Sequence, residues 1–502
     1  MKNDERRFRP DVEGLRAVAV GLVVLGHAGV PWVPGGYIGV DVFFVLSGFL
    51  ITGLLVRERA TTGSTSMAGF YARRARRILP AASIVLVVTV LASYHWLGFL
   101  RGDAIAEDGK WTALFAANLH FAHEGTQYLN ITAPPSPLQH YWSLAVEEQF
   151  YVVWPLVFVA VASVAPGVSL ARKLASVLAL IVVASLAWSI VQTRSDVTWA
   201  FFSPLTRAWE LAVGALLAVG LSAVKRVPGK FGAWLSWGGL GAIIGGAVLF
   251  DNRTAFPGYA AALPVFGAAM VVAGGTVAPG RGAERLLGLA PFQVLGKWSY
   301  SLYLWHWPIL MIAAQRAGHE LPLAENLGLM GAAVVLAAVT HYVVENPVRY
   351  APRLTRSPWT SIAVGACLLV AAFGVCAWQL RENTVGSPRL AYADAADATP
   401  AGDSVSAQSS APKSPLEEML AAVAAAPEIN LLPADLTPGL ASSLKDFAWL
   451  PPWGRGCLVD ADVLDSPACL FGDPDGSKTV VLLGDSHVAQ WMKAFDSIGK
   501  ER

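Results

Sequence analysis

Apolar stretches long enough to cross a bilayer recur about eleven times along the chain, near residues 14–30, 36–56, 79–100, 141–165, 170–192, 204–222, 231–250, 257–277, 293–315, 323–345 and 359–380. In lipid such a segment has no water to satisfy its backbone N–H and C=O groups, so it must pair them internally as a helix. The rest of the composition agrees. Of 502 residues 54% are hydrophobic and only 15% charged, with a mean hydropathy of +0.49, too apolar for a soluble chain of this size. The formal net charge of +1 gives no footing for nucleic acid. The class this predicts is an all-α polytopic membrane protein.

Lys and Arg crowd alternate connections: Lys2, Arg6, Arg7 and Arg9; Arg57 to Arg77; Arg172 and Lys173; Lys225, Arg226 and Lys230; Arg281 and Arg285; Arg349, Arg353 and Arg356. The other connections carry scattered ones such as Arg101, Lys110, Arg194, Arg253 and Arg316. By the positive-inside rule the N-terminus is cytoplasmic, and an odd number of spans puts everything after residue 380 outside. Met1 to Pro10 lead into a full-length span with no small-residue cleavage pattern, so no cleaved signal peptide is expected. Residues 381–450, rich in Ala, Ser, Pro and Asp, read as a mostly unstructured tether with one short helix at Leu416 to Ala425. Cys457 and Cys469 flank a polar loop on the expected outer side and are predicted to form a disulfide.

Ionisable groups inside the first span single it out. Arg16 and His27 are eleven residues apart, which at 100° per residue places them on one helix face, about 16 Å apart along the axis. Buried charge in a membrane is costly and marks function by default. Counted by depth, His27, Asp41, Glu147 and Glu148 all lie within about 5 to 11 Å of the outer boundary, so one cavity could hold them. A neutral imidazole held in one tautomer by Asp41 or Glu147 is suited to take a proton from a hydroxyl. A structural polar network between helices is the other reading of the same residues.

Near the cytoplasmic surface, Arg73, Arg74, Arg76 and Arg77 fall within one and a half helical turns and can hold the phosphates of a nucleotide-bearing donor, or fix topology and bind anionic lipid. Lys297, Tyr300 and His306 belong to the run Gly296 to Pro308, which either lines the path of a pantetheine-like arm or anchors the interface. The longest outer connection, residues 101–140, reads as a functional loop or lid. His120 and His123 within it lack further ligands at metal spacing, so no metal site is expected. In the tail, Lys478 to Leu483 reads as a β run leading into Gly484-Asp485-Ser486-His487, a turn that would expose the Ser486 hydroxyl at a helix start.

Together, Arg9 to His27, Gly39 to Gly48, Arg73 to Pro80, Trp142 to Tyr151, Tyr300 to Pro308 and Glu345 to Pro347 resemble the acyltransferase-3 family of bacterial membrane proteins over about residues 9–352. The tail from Cys457 to Trp491 resembles the start of an SGNH-hydrolase-like α/β domain, without the later Asp-x-x-His and oxyanion blocks. The resemblance implies a ten-helix transferase core at 1–352, a linking helix at 353–380, an extracytoplasmic linker at 381–450 and the beginning of the SGNH-like module at 451–502.

It further implies an O-acetyltransferase in the bacterial cytoplasmic membrane. His27 would be catalytic and Arg16 its partner in the Arg-x10-His pattern, with Glu147 and Asp41 in the core site. Arg73, Arg74, Arg76 and Arg77 would belong to the acetyl-CoA site, and Ser486 would match the SGNH nucleophile. Acetyl-CoA would be a donor substrate, with no tightly bound cofactor, and the acceptor an extracytoplasmic glycan. Two routes stay open, an acyl-His27 relay or direct transfer with His27 as base. A transporter or flippase is the rival reading; it predicts inverted repeats with paired broken helices, which the sequence does not display.

Overall fold

The computed structural model describes residues 9–125, 134–164, 168–384, 392–393, 420, 432–433, 469–482, 488 and 491–501. The chain divides into two compact units, Met1–Arg381 and Glu382–Arg502.

The first unit is helical. In order come α1 (Pro10–His27), α2 (Gly39–Thr62), α3 (Met67–Leu97), α4 (Phe99–Ala113), α5 (Ala117–Gly125), α6 (Tyr141–Ser163), α7 (Leu170–Ser195), α8 (Val197–Phe202) and α9 (Pro204–Val219). There follow α10 (Leu221–Val224), α11 (Gly229–Leu249), α12 (Ala262–Val277), α13 (Glu284–Leu287), α14 (Ala290–Ala317) and α15 (Leu323–Thr340). A π turn at His341–Glu345 leads to α16 (Asn346–Tyr350), α17 (Pro352–Arg356) and α18 (Pro358–Thr384). Each of the eleven apolar windows falls on one helix: α1, α2, α3, α6, α7, α9, α11, α12, α14, α15 and α18.

Among the described residues, seven helical stretches are long and apolar enough to cross a membrane by length and composition. Helices α1 and α14 are outside that group, since α1 carries Asp11, Glu13 and Arg16 and α14 is dense in Trp, Tyr and His. The outward faces are apolar: Leu180 and Val183 on α7 are 68% and 67% exposed, a surface suited to lipid rather than water. The unit is that of a polytopic all-α membrane protein.

Close backbone approach sets the packing around the site. A Cβ at Gly48 of α2 would meet the Leu211 carbonyl of α9 at 1.8 Å, and one at Gly214 of α9 would meet the Val45 carbonyl of α2 at 1.9 Å. Only glycine fits at both points, the small-residue contact by which membrane helices gain van der Waals packing. Helices α1 and α14 run in parallel, in contact at both ends: Gly296 beneath Glu13, and His306 against His27.

Residues 101–140 are not one long loop, as expected, but chiefly α4 and α5. The buried face of α4 is Gly102, Ile105, Ala106, Gly109, Thr112 and Ala113. That stripe has helical spacing but is built mostly from small residues, so hydropathy does not reveal it.

In the second unit, β1 (Tyr392–Ala393) pairs in parallel with β2 (Leu432–Pro433), and α19 (Met492–Glu501) follows. The Gly472 amide donates to Asp496 Oδ1 at 2.7 Å. Cys469 is disulfide-bonded, while Cys457, its expected partner, lies outside the described residues. So do Asp485, Ser486 and His487, and nearly all of the expected tether and its helix at Leu416 to Ala425. The β run expected from Lys478 forms no strand over 478–482. Val480 and Val481 are 73% and 82% exposed, with no strand beside them among the described residues, and an unpaired strand is not stable in isolation.

Candidate active site

Ser299, Tyr303 and His306 recur at i, i+4 and i+7 on α14 and so share a face. Two residues beyond His306 stands Pro308, which has no N–H to give the carbonyl of Leu304. That freed carbonyl accepts the Nε2–H of His140, the residue preceding α6, at 3.1 Å. The proline thus ties α6 to α14 at the level of His306. Tyr303 reinforces the tie: its hydroxyl donates to the His140 carbonyl at 3.0 Å and lies 2.7 Å from Ser143 Oγ.

His306 is fully buried, and its Nδ1 faces the carbonyls of Tyr303 at 2.6 Å and Leu302 at 3.3 Å. A nitrogen between carbonyl oxygens must carry the proton, so Nε2 is the acceptor nitrogen. Against it, at 3.0 Å, lies Nδ1 of His27, the last residue of α1, with the two rings parallel within 2°. His27 must therefore donate from Nδ1, and its Nε2 is left as a lone-pair nitrogen. The backbone of α14 fixes both tautomers, through the second-neighbour bonding that orients imidazoles elsewhere. Trp307 closes the other side of the His27 ring, centroids 4.6 Å apart, while its Nε1–H donates to the Ser136 carbonyl at 2.9 Å.

On the other side of Tyr303 a pocket holds about 820 Å³ of empty space, its open mouth included. Arg16, Arg74 and Arg77 line it together with Ser47, Ser143, Glu147, Glu148, Tyr151, Ser299, Tyr300 and Tyr303. Ser47 and Tyr151 both donate to Glu147 Oε1. The guanidinium of Arg74 stands over the Tyr151 ring at 5.0 Å, and that of Arg16 is 3.4 Å from Glu13. The pocket therefore offers several guanidinium groups, hydroxyls and two carboxyls, with aromatic walls. Val40, Phe43, Phe44, Leu46, Leu50 and Ile78 complete the lining, so the guanidinium groups suit an anionic group on a ligand whose remainder packs against apolar walls.

The arginine-bearing pocket and the tautomer-fixed histidine pair thus lie on two sides of Tyr303. The family described as "Acyltransferase domain" matches residues 9–381. The chain belongs to the acyltransferase-3 family. It is similar to the peptidoglycan O-acetyltransferase OatA of Listeria monocytogenes, 32% identical over 363 residues, which are 68% of this chain and 56% of that protein. It is also similar to the O-acetyltransferase OatA of Staphylococcus aureus, 28% identical over 358 residues, 68% of this chain and 57% of that one. The chain thus spans little more than half the length of these relatives. No solved structure matches it.

Within the acyltransferase-3 domain, several residues singled out from the sequence are brought together. Arg16, Arg74, Arg77, Glu147 and Tyr300 line one pocket, and His27 meets His306. Asp41 and Glu147 do not meet His27. Asp41 is bound by Arg207 at 3.0 Å, which also holds Glu210 at 3.1 Å, all three at most 2% exposed. Glu147 is on the arginine side of Tyr303. Depth along a helix axis sets height but not rotation, so residues at equal depth need not share a cavity.

The arginine run also divides. Arg74 and Arg77, three residues apart, face the pocket, whereas Arg73 pairs with Glu58 at 2.8 Å and Arg76 bonds Ser361 Oγ at 2.8 Å. Lys297 is exposed and does not line the pocket. His120 pairs with Asp108 at 2.8 Å and stacks near Trp111. Sequence reasoning passed over His140, Ser143, Ser299, Trp307, Arg207 and Glu210. For Ser299 a signal existed, its i, i+4, i+7 spacing to Tyr303 and His306. For Arg207 only the apolar run around it could have served, as the mark of an ionisable residue in a span.

Proposed function

We propose that this chain is a membrane O-acetyltransferase. It takes an acetyl group from acetyl-CoA on the cytoplasmic side and esterifies a hydroxyl of an extracytoplasmic glycan, a reading supported by its similarity to the peptidoglycan O-acetyltransferase of Listeria monocytogenes. The bacterial cytoplasmic membrane is its location, with the N-terminus inside and the second unit outside, a reading supported by the alternating Lys and Arg clusters.

The observation that carries the proposal is the hydrogen-bond chain from the Tyr303 carbonyl through His306 to His27, which leaves a lone pair on His27 Nε2. In the step, the acceptor hydroxyl gives its proton to that nitrogen as its oxygen attacks the thioester carbon. The C–S bond breaks, and the thiolate leaves and takes up the proton. The products are an O-acetyl ester and the free thiol, with the imidazole neutral again. Arg16, Arg74 and Arg77 bind the phosphates of the donor, which orients the thioester end toward Tyr303 and the histidines.

Membranes containing the protein, given labelled acetyl-CoA and a panel of cell-wall glycans, are expected to label the glycan. His27→Ala should reduce the rate by about 10²- to 10⁴-fold, the usual range for a lost general base. Equal labelling by parent and variant, or none by the parent across the panel, would overturn the proposal. Incubation with donor alone should leave the protein unlabelled; an acetyl group recovered on His27 would replace direct transfer by a covalent relay.

A further inference from the structure

Two residues of the pocket wall each carry a buried polar atom with no hydrogen-bond partner among the described residues: Ser299 Oγ on α14 and Glu148 Oε1 on α6. Ser299 is 0% exposed. A serine buried in a helix ordinarily turns its hydroxyl to a backbone carbonyl one turn back, and an unmade bond of this kind costs the group its hydration with no return. Both residues line the same cavity. Their missing partner belongs to whatever fills it.

Heights along the helices give the chemistry of that partner. Helices α6 and α14 are tied at Ser143 and Tyr303. Ser299 lies four residues from Tyr303, about 6 Å along α14, and Glu148 lies five from Ser143, about 7 Å along α6, so the two stand at one level. Seven residues separate Ser299 from His306, about 10 Å, and eleven separate Arg16 from His27, about 16 Å. A ligand with its reacting thioester at the histidines and its phosphates at the arginines thus passes Ser299 and Glu148 between the two.

A pantetheine arm has two secondary amides on that path. The nearer is about 4 Å from the sulfur, and two methylenes place the farther about 5 Å beyond it. The second amide therefore reaches the level of Ser299. A trans amide points its C=O and N–H in opposite directions, which matches a donor on one wall and an acceptor on another. We propose that Ser299 and Glu148 form an amide clamp for the donor. The Ser299 hydroxyl donates to the carbonyl of the amide farther from the thioester, and Glu148 Oε1 accepts its N–H. The clamp rests on the reading of the donor as acetyl-CoA, and it makes the enzyme selective for thioesters carried on a two-amide arm over shorter thioesters.

The test uses the full chain in membranes with three donors: acetyl-CoA, S-acetylpantetheine and S-acetyl-N-acetylcysteamine, the last of which lacks the farther amide. Ser299→Ala is expected to raise KM for the first two by about two- to tenfold, the worth of one neutral hydrogen bond, with no change for the third. Glu148→Leu should give the same dependence on donor. Ser299→Cys, which keeps the volume but weakens the donor, should give it too and guards against a packing defect in the alanine variant. A rise common to all three donors, or a rise for none, would overturn the clamp while leaving the acetyl-CoA reading in place. A parent protein that turns over none of the three would overturn both.

Discussion

At the scale of the residue, the site depends on which nitrogen of each imidazole carries its proton. His306 is the intermediary: it has its Nδ1–H fixed by a backbone carbonyl and so presents a lone pair to His27. Replacing it by alanine removes the acceptor that holds His27 in its tautomer, leaving Nε2 protonated part of the time. His306→Ala is expected to lower kcat by about 10- to 100-fold with KM for acetyl-CoA near the parent value, because an orienting partner affects the chemistry more than donor binding. Steady-state kinetics on membranes would show the split, and a rise in KM without loss of kcat would contradict it. His27 and His306 were both legible in the sequence, as ionisable residues inside spans. Their contact was not, since 279 residues separate them.

Asp41 gives the opposite lesson at the same scale. It was legible as a buried carboxylate but assigned to the wrong neighbour, for its charge is held by Arg207, which also binds Glu210 and lies 5.0 Å from the Phe201 ring. Removing the cation leaves two buried carboxyls facing one another. Arg207→Met is therefore expected to destabilise the protein by about 3 to 5 kcal/mol, the usual cost of breaking a buried ion pair from one side. Size-exclusion chromatography of the detergent-solubilised variant would detect this as loss of the folded peak.

At the scale of the element, Pro308 connects a sequence feature to a tertiary one. A proline inside a span has no N–H for the helical ladder, and here that missing N–H frees the Leu304 carbonyl for His140. Pro308→Ala restores an N–H that competes for that carbonyl. The expected result is a straighter, more stable α14 but a looser tie to α6, with activity reduced by about two- to tenfold, the worth of one hydrogen bond. A higher melting temperature together with lower turnover would identify this effect; unchanged turnover would count against it. Helices α4 and α5 mark where reading by element fails. Small residues pack by close approach rather than by apolar bulk, so the scan that finds the spans passes over them.

At the scale of the whole molecule, the pocket and the histidines belong to one compact unit, Met1–Arg381, which the acyltransferase-3 family match nearly fills. A chain ended after residue 384 should therefore keep the arginine pocket proposed for the donor. Acetyl-CoA at one hundred times its Kd is expected to stabilise both the full and the shortened protein by about 2.7 kcal/mol. The double variant Arg74→Ala/Arg77→Ala should lose that stabilisation. Thermal shift in detergent measures all three, and loss of the effect on shortening would show that the second unit contributes to donor binding.

Read alone, the chain settles where its eleven apolar helices fall, the order of the polar positions along each, and the placing of Arg16 eleven residues before His27 on one face of α1. These are local matters, since hydropathy and the 3.6-residue period act within a single helix. Rotation and partnership were decided by packing. Glycine contacts between α2 and α9, and between α1 and α14, set how far each helix turns toward its neighbour. That rotation gives Asp41 to Arg207 and brings His306 to His27; on α3, Arg74 and Arg77 face the pocket while Arg73 and Arg76 pair elsewhere. Contacts between helices far apart in the chain leave no periodic trace within either one, which is why only the tertiary structure discloses them.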